Sequence, residues 1–219
     1  MPDRDTAVER ASKLDTTNIS DALDRLGIAG QCLGIKPRDP RFRMTGRAFT
    51  LFYGPVGKPA GTVGEFIDDV APGCVIAIDN GGRENATVWG NILTEVAHLR
   101  GIAGTVIDGA CRDTALCREL GYPIFSRSYS MRTGKDRVQL EGVDVPVNIG
   151  DARVAPGDIL RGDADGVVVI PRQHEFEVLE AAEDVFAKEE AIRKAVRSGK
   201  RLDEARKELG YHHLQTKRS

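Results

Sequence analysis

Between Cys74 and Leu120 the chain twice runs a short apolar stretch into glycine and then into a helical pattern: CVIAID, NGGRENATVWG and NILTEVAHL, then GTVIDG, ACRD and TALCREL. Apolar runs this short, bounded by turn residues, read as strands and the Gly-rich stretch after Asp79 as a loop, whereas residues about 89 to 100 and 113 to 120 carry helical spacing. Such alternation is satisfied by layering helices on a sheet, so the expected fold class is α/β. Further β-rich runs are GRAFTLFY, YPIFSRSY, VQLEGVDVPVNIG and ILRGDADGVVVIP, each bounded by Gly, Pro or Asp. TTNISDALDRLG predicts a helix capped by Thr or Asn, with Asp21 three residues after Asn18, Leu23 and Leu26 at helical spacing, and Gly27 as the stop. Residues about 61 to 70 also read as helix. APGCVIAIDNGG (71 to 82) and APGDILRGDADGVVVIP (155 to 171) share a Pro-Gly turn that launches a strand, which suggests two similarly built units.

Charge marks a second division. From Gln173 onward 20 of 47 residues are Asp, Glu, Lys or Arg, against 44 of the preceding 172. Phe176, Leu179, Val185, Phe186, Ile192 and Val196 recur there at mostly three- and four-residue steps, an amphipathic helix ended by Gly199 and followed by a short helix over about 202 to 209. The expected organisation is an α/β domain over 1–172 and charged C-terminal helices over 173–219, packed on their own core or on a neighbouring subunit.

The 219 residues carry a formal net charge of -2, without the basic excess of a general nucleic-acid binder. No apolar run approaches the roughly 18 residues of a membrane span, and the first residues are too charged for a secretory signal, so the expected location is cytoplasmic. Cys32, Cys74, Cys111 and Cys117 form no CxxC pair, and reduced thiols are expected. With only His98, His174, His212 and His213, a histidine metal cage or a Ser-His-Asp triad has few candidates. A metal here would be held by oxygen.

Chemistry concentrates from Asp79 to Asp113. Gly90 opens a helix whose first-turn amides, Gly90, Asn91, Ile92 and Leu93, lack intrahelical partners and form a pocket for a carboxylate or phosphate. At the next strand-to-helix junction Arg112 offers a planar guanidinium for a carboxylate, and Asp113 a hard oxygen suited to Mg²⁺ or Mn²⁺. By themselves these are also the ingredients of a surface ion pair at a helix start. Neither a phosphate-binding Gly-Lys-Ser/Thr loop nor a dinucleotide fingerprint is present, and Gly81-Gly82 makes no nucleotide cradle for a methyltransferase.

Through SDALDRLG, GRAFTL, WGNIL, VIDGACRD, YPIF and DGVVVIP, over residues about 14 to 171, the sequence resembles the RraA-like family, which groups 4-hydroxy-4-methyl-2-oxoglutarate aldolases with the regulator of ribonuclease activity A. The resemblance implies a compact layered swivelling β/β/α-type domain, here with a C-terminal helical appendage. It also implies homotrimers or homohexamers with sites between subunits. Gly90, Asn91, Ile92 and Leu93 would bind the carboxylate of a small 2-oxo acid through backbone amides, Arg112 would contact it, and Asp113 would bind Mg²⁺ or Mn²⁺. The implied activity is a metal-dependent carbon–carbon lyase forming a pyruvate enolate, by oxaloacetate decarboxylation or by retro-aldol cleavage.

Two departures shape that expectation. Family aldolases usually carry an acid where this chain has Asn91, and another where it has Leu116. Retro-aldol cleavage must take a proton from the C4 hydroxyl, and decarboxylation need not, so decarboxylation is expected to tolerate the substitutions better. Glu84, Asp108 or Glu119 are the candidate replacement acids, and Lys135 is either a solvated loop lysine or a substrate contact. The missing acids also leave room for a non-enzymatic alternative, a regulator that binds and inhibits an endoribonuclease.

Overall fold

The computed structural model describes residues 5–210, so His212 and His213 lie outside it, as do the outer ends of both expected segments. In chain order its elements are α1 (Thr6–Ser12), α2 (Thr16–Leu26), β1 (Lys36–Pro37), β2 (Met44–Pro55), β3 (Val75–Thr87), α3 (Asn91–Leu99), β4 (Gly104–Cys111), α4 (Thr114–Leu120) and β5 (Ile124–Tyr129). There follow β6 (Val138–Val143), β7 (Val147–Ile149), β8 (Ala152–Val154), β9 (Ile159–Gly162), β10 (Val167–Ile170), α5 (Glu175–Arg197) and α6 (Leu202–Glu208). The fold is a layered α/β architecture with helices at its C-terminal end.

One sheet runs β1-β5-β4-β3-β2-β9-β10. Its centre, β2 to β5, is parallel, and β9, β10 and β6 add antiparallel neighbours. Val75, Ile76, Ala77, Ile78, Val106 and Ile107 are all sealed from solvent, because a parallel strand covered on both faces needs a continuous apolar run. The two Pro-Gly phrases flank β2 on opposite sides: Ala48 pairs with Val75, and Arg47 with Ile159.

Two cores share the β9–β10 hairpin. Leu160, Val167 and Val169 face the main core, while Ile159, Val168 and Ile170 join Leu14, Ile19, Leu23, Val178 and Leu179 under α1, α2 and α5. Alternation along a strand thus fixes the helical layer. Of the α5 stripe, Leu179, Val185 and Ile192 are buried within the chain itself, whereas Phe176, Phe186 and Val196 remain exposed. Ion pairs Arg10–Glu183 and Arg25–Asp184, both 2.8 Å, tie α5 to α1 and α2. Among the described residues no helix is long and apolar enough to cross a membrane.

Three local expectations are corrected. The α2 cap is Asp15, with Asn18 at the third helical position, where its Oδ1 accepts the Asp15 amide at 3.4 Å. Residues 61–70 form only a 3-10 turn at Ile67–Asp69. Phe66 and Val70 are buried, but the preceding chain is held as a strap by Gln139, whose Oε1 accepts the Gly57 and Gly61 amides at 2.8 and 3.0 Å. The glycine-rich stretch after Asp79 is not a free loop: β3 continues through it to Thr87 with two register shifts, and Gly81 and Gly82 supply the positive φ angles of 59° and 69°.

Candidate active site

The C-terminal ends of β3 and β4 deliver the two junctions singled out in the sequence. Gly90, extended at φ -152°, is the N-cap of α3, and Asp113 is the N-cap of α4. The strands keep them together through the Arg112 amide, which donates to the Trp89 carbonyl at 3.0 Å. A methyl group at position 90 would lie 3.0 Å from both Arg112 Nε and Asp113 Oδ2. Glycine is therefore favoured there by close side-chain neighbours that a methyl group would displace slightly, with no demand from its backbone angles.

Asp113 holds a left-handed conformation, φ 57° and ψ 39°, which for a residue other than glycine costs of order 1 kcal/mol or more. Its Oδ2 accepts the Asn91 amide at 3.0 Å and lies 3.5 Å from Arg112 Nε. The Ile92 amide donates to Asn91 Oδ1 at 2.9 Å. Two of the amides expected to be open are thus held by side chains, at a position where the Asp113 side chain is 38% exposed.

The loop is braced from behind. Trp89 stacks on Tyr122 with centroids 6.2 Å apart and planes 3° from parallel. Its Nε1 donates to Thr94 Oγ1 at 2.9 Å, and that hydroxyl donates to the Gly90 carbonyl at 3.0 Å. The sequence reading missed this buried bracket, although Trp89 is the single tryptophan of the chain.

A cavity of about 290 Å³ opens on this helix end, lined by Gly90, Asn91, Ile92, Leu93 and Arg112, with Tyr53, Trp89, Thr133 and Lys135 among the other walls. Asp113 stands beside it through the Asn91 contact. Lys135 is an exposed turn lysine, as one of the two sequence readings has it, and it also stands at the wall of this cavity. The proposed replacement acids do not reach it. Asp108 is 5% exposed and engaged by Arg127 Nε and by the Gly150 amide at 2.9 Å. Glu84 and Glu119 are exposed and outside the lining, and Leu116 is half-buried on α4.

Among the described residues no three His, Cys, Asp or Glu gather into a cage, which disfavours a zinc-type site. A single accessible carboxylate suits Mg²⁺ or Mn²⁺, hard ions that keep several waters. All four cysteines are free. Burial pushes the Cys32 thiol up to about 12 and the Cys117 thiol up to about 11, so neither offers a thiolate near neutrality.

Comparison with known proteins gives a consistent set of relatives. Protein DlpA of Legionella pneumophila is 38% identical over 200 residues, covering 90% of this chain and 32% of the relative, so the chain spans about a third of that longer protein. The 4-hydroxy-4-methyl-2-oxoglutarate aldolase of Thermus thermophilus is 31% identical, covering 71% of this chain and 92% of the relative. Among solved structures, an uncharacterized protein from Pseudomonas syringae superposes with TM-score 0.87 at 41% identity, over 94% of this chain and 99% of that one. RraAS2 of Streptomyces coelicolor, described as an unusual member of the RNase ES inhibitor RraA protein family, superposes with TM-score 0.80 at 28% identity, over 87% and 96% of the two chains. The family pattern described as Aldolase/RraA matches residues 16–169, which include both strand ends and every residue of the Gly90–Asp113 cluster, and the chain belongs to the RraA-like family.

Proposed function

We propose that this protein is a divalent-metal-dependent carbon–carbon lyase acting on a small 2-oxo acid, by oxaloacetate decarboxylation or retro-aldol cleavage, the first favoured by the side chains that line the cavity. The observation that carries the reading is the convergence at Gly90 of the α3 first turn, Arg112 and Asp113 beside one cavity. The amides of Gly90 to Leu93 and the Arg112 guanidinium bind the substrate carboxylate, where the helix end favours an anion and the guanidinium adds charge-assisted bonds. Asp113 would give up the Asn91 amide to that carboxylate, and its hard oxygen would hold Mg²⁺ or Mn²⁺. When bound, the cation supplies Lewis-acid stabilisation of the charge that develops on the 2-oxo oxygen as the C3–C4 bond breaks.

The choice between reactions rests on proton inventory. No Asp, Glu or His lines the cavity among the described residues. Retro-aldol cleavage of 4-hydroxy-4-methyl-2-oxoglutarate needs a base for the C4 hydroxyl, whereas decarboxylation releases CO₂ and leaves an enolate that solvent protonates. With Mg²⁺ or Mn²⁺ supplied, pyruvate release from oxaloacetate is expected to exceed that from 4-hydroxy-4-methyl-2-oxoglutarate. Robust cleavage of the latter beside negligible oxaloacetate turnover would refute the assignment.

The proposed working unit is a cytoplasmic homotrimer or homohexamer. Ile92 and Leu99, 75% and 78% exposed, lie seven residues apart on one face of α3 next to the cavity, an apolar face suited to a second subunit. A second functional reading, contact inhibition of an endoribonuclease, is favoured by the likeness to RraAS2 and by the acid-free cavity. It predicts that Asp113→Ala leaves the inhibition intact.

A further inference from the structure

Two cations line the cavity among the described residues, Arg112 and Lys135, and the 2-oxo acid reading uses only the first. The Lys135 backbone is anchored. The Thr87 amide and Oγ1 both donate to the Arg132 carbonyl, at 3.2 and 2.9 Å. Gly134 packs so closely that a methyl group there would lie 2.2 Å from the Thr87 carbonyl oxygen. The Arg137 and Val138 amides both donate to the Gly134 carbonyl at 2.9 Å, closing the turn. Among the described residues the Lys135 ammonium has no hydrogen bond or ion pair with another side chain. Lys135 is exposed and stands at the cavity wall on an anchored backbone, so its ammonium can meet an anion that enters there.

The sheet register sets the two segments that carry these cations on either side of β3. Thr87 is paired on one side with Ala110 of β4 and on the other with Thr133, both in parallel. Arg112 follows Ala110 by two residues, and Lys135 follows Thr133 by two. The two residues therefore leave from the segments on either side of the end of β3 and line the same cavity. Two cations on one cavity match a short molecule that is anionic at both ends.

We infer that Lys135 is the specificity-determining residue of the site, receiving the distal carboxylate of a four-carbon 2-oxo dicarboxylate whose first carboxylate lies on Arg112 and the α3 turn. The inference rests on the 2-oxo acid reading and goes beyond it by naming the residue that selects the substrate's far end. 2-Oxobutanoate has the same carbon count as oxaloacetate with a methyl group in place of that carboxylate, so it probes the distal contact alone.

The test uses the full-length protein with Mg²⁺ present and compares wild type, Lys135→Met and Lys135→Arg: oxaloacetate binding is read as KM from initial rates of pyruvate release, and binding of 2-oxobutanoate, which has no carboxylate to lose, by calorimetric titration. Loss of one charge-assisted contact weakens oxaloacetate binding to Lys135→Met by about tenfold or more. Binding of 2-oxobutanoate changes less than about twofold, and Lys135→Arg recovers most of the discrimination. Equal weakening of both acids, or no change in either, overturns the role of Lys135 while the site reading stands. A wild-type protein that binds neither acid overturns both.

Discussion

Two helix N-termini in this molecule carry the same device, an aspartate carboxylate on the first helical amide, in opposite surroundings. At α2 the Thr16 amide donates to Asp163 Oδ2 at 2.8 Å and the Thr16 hydroxyl to Oδ1 at 2.7 Å, with Asp163 only 3% exposed. Arg161 lies beside it, 7% exposed, its guanidinium donating to the Leu14 carbonyl at 2.9 Å. At α3 the Asn91 amide donates to Asp113 Oδ2 at 3.0 Å, but that side chain is 38% exposed, left-handed in its backbone and beside a cavity. The first carboxylate satisfies both donors of Thr16 out of reach of solvent. The second makes one bond that an incoming carboxylate can replace. Burial, and not the local motif, separates a structural clasp from an exchangeable ligand site.

Removing each carboxylate should expose that difference. Asp113→Ala is expected to lower metal-dependent oxaloacetate turnover by about a hundredfold or more. Loss of an accessible cap bond costs about 1 kcal/mol or less, so the melting midpoint should fall by no more than about 2–4 °C. A large loss of stability with retained turnover would reverse the comparison.

Asp163→Ala is expected to do the opposite. It strands the Thr16 donors and the neighbouring Arg161 charge, a destabilisation of about 3 kcal/mol by urea titration, with turnover per folded molecule preserved. The loss should depend on pH. Burial pushes the Asp163 pKa up, but the Thr16 amide and hydroxyl pull it further down, leaving it below the ordinary carboxylate value. A lowered folded-state pKa contributes stability above the unfolded value of about 3.9, and that contribution is lost as pH falls through the folded value. The gap between wild type and Asp163→Ala should therefore be widest near neutrality and narrow below about pH 4. A gap independent of pH down to acid unfolding would remove the ionised carboxylate from the account.

Gly90→Ala probes the open terminus more gently. The new methyl meets the flexible ends of Arg112 and Asp113, each 3.0 Å away, so the fold should persist while oxalate affinity drops by about tenfold. Unchanged oxalate binding would show that Arg112 and Asp113 move aside without consequence, and that the crowding at Gly90 does not shape the site.

The open terminus was more legible in the sequence than the closed one. Gly90 to Leu93, Arg112 and Asp113 sit at strand-to-helix junctions of adjacent strands, and local alternation is enough to bring such junctions to one edge of a sheet. The Thr16–Asp163 clasp joins residues 147 positions apart, and nothing local announces it. The same holds for Gln139, which turns residues 57–61 into a strap and defeats the helical spacing that Phe66, Ile67 and Val70 imitate. Lys135 was visible as a residue but not as a wall, because its place depends on Thr133 pairing with Thr87. The stretch after Asp79 looked like a loop because its glycines are loop residues by composition, whereas here they allow β3 to bend and continue to Thr87.

The central claim is that the α3 terminus with Asp113 forms a metal-dependent site for a 2-oxo acid. Its most direct test is thermal unfolding of wild type and Asp113→Ala with Mg²⁺, with oxalate, and with both together, since a ligand that binds only the folded state raises its midpoint. Wild type should gain more from the pair than from the sum of either alone, and Asp113→Ala should show no such gain. Identical responses from the two proteins would contradict the account.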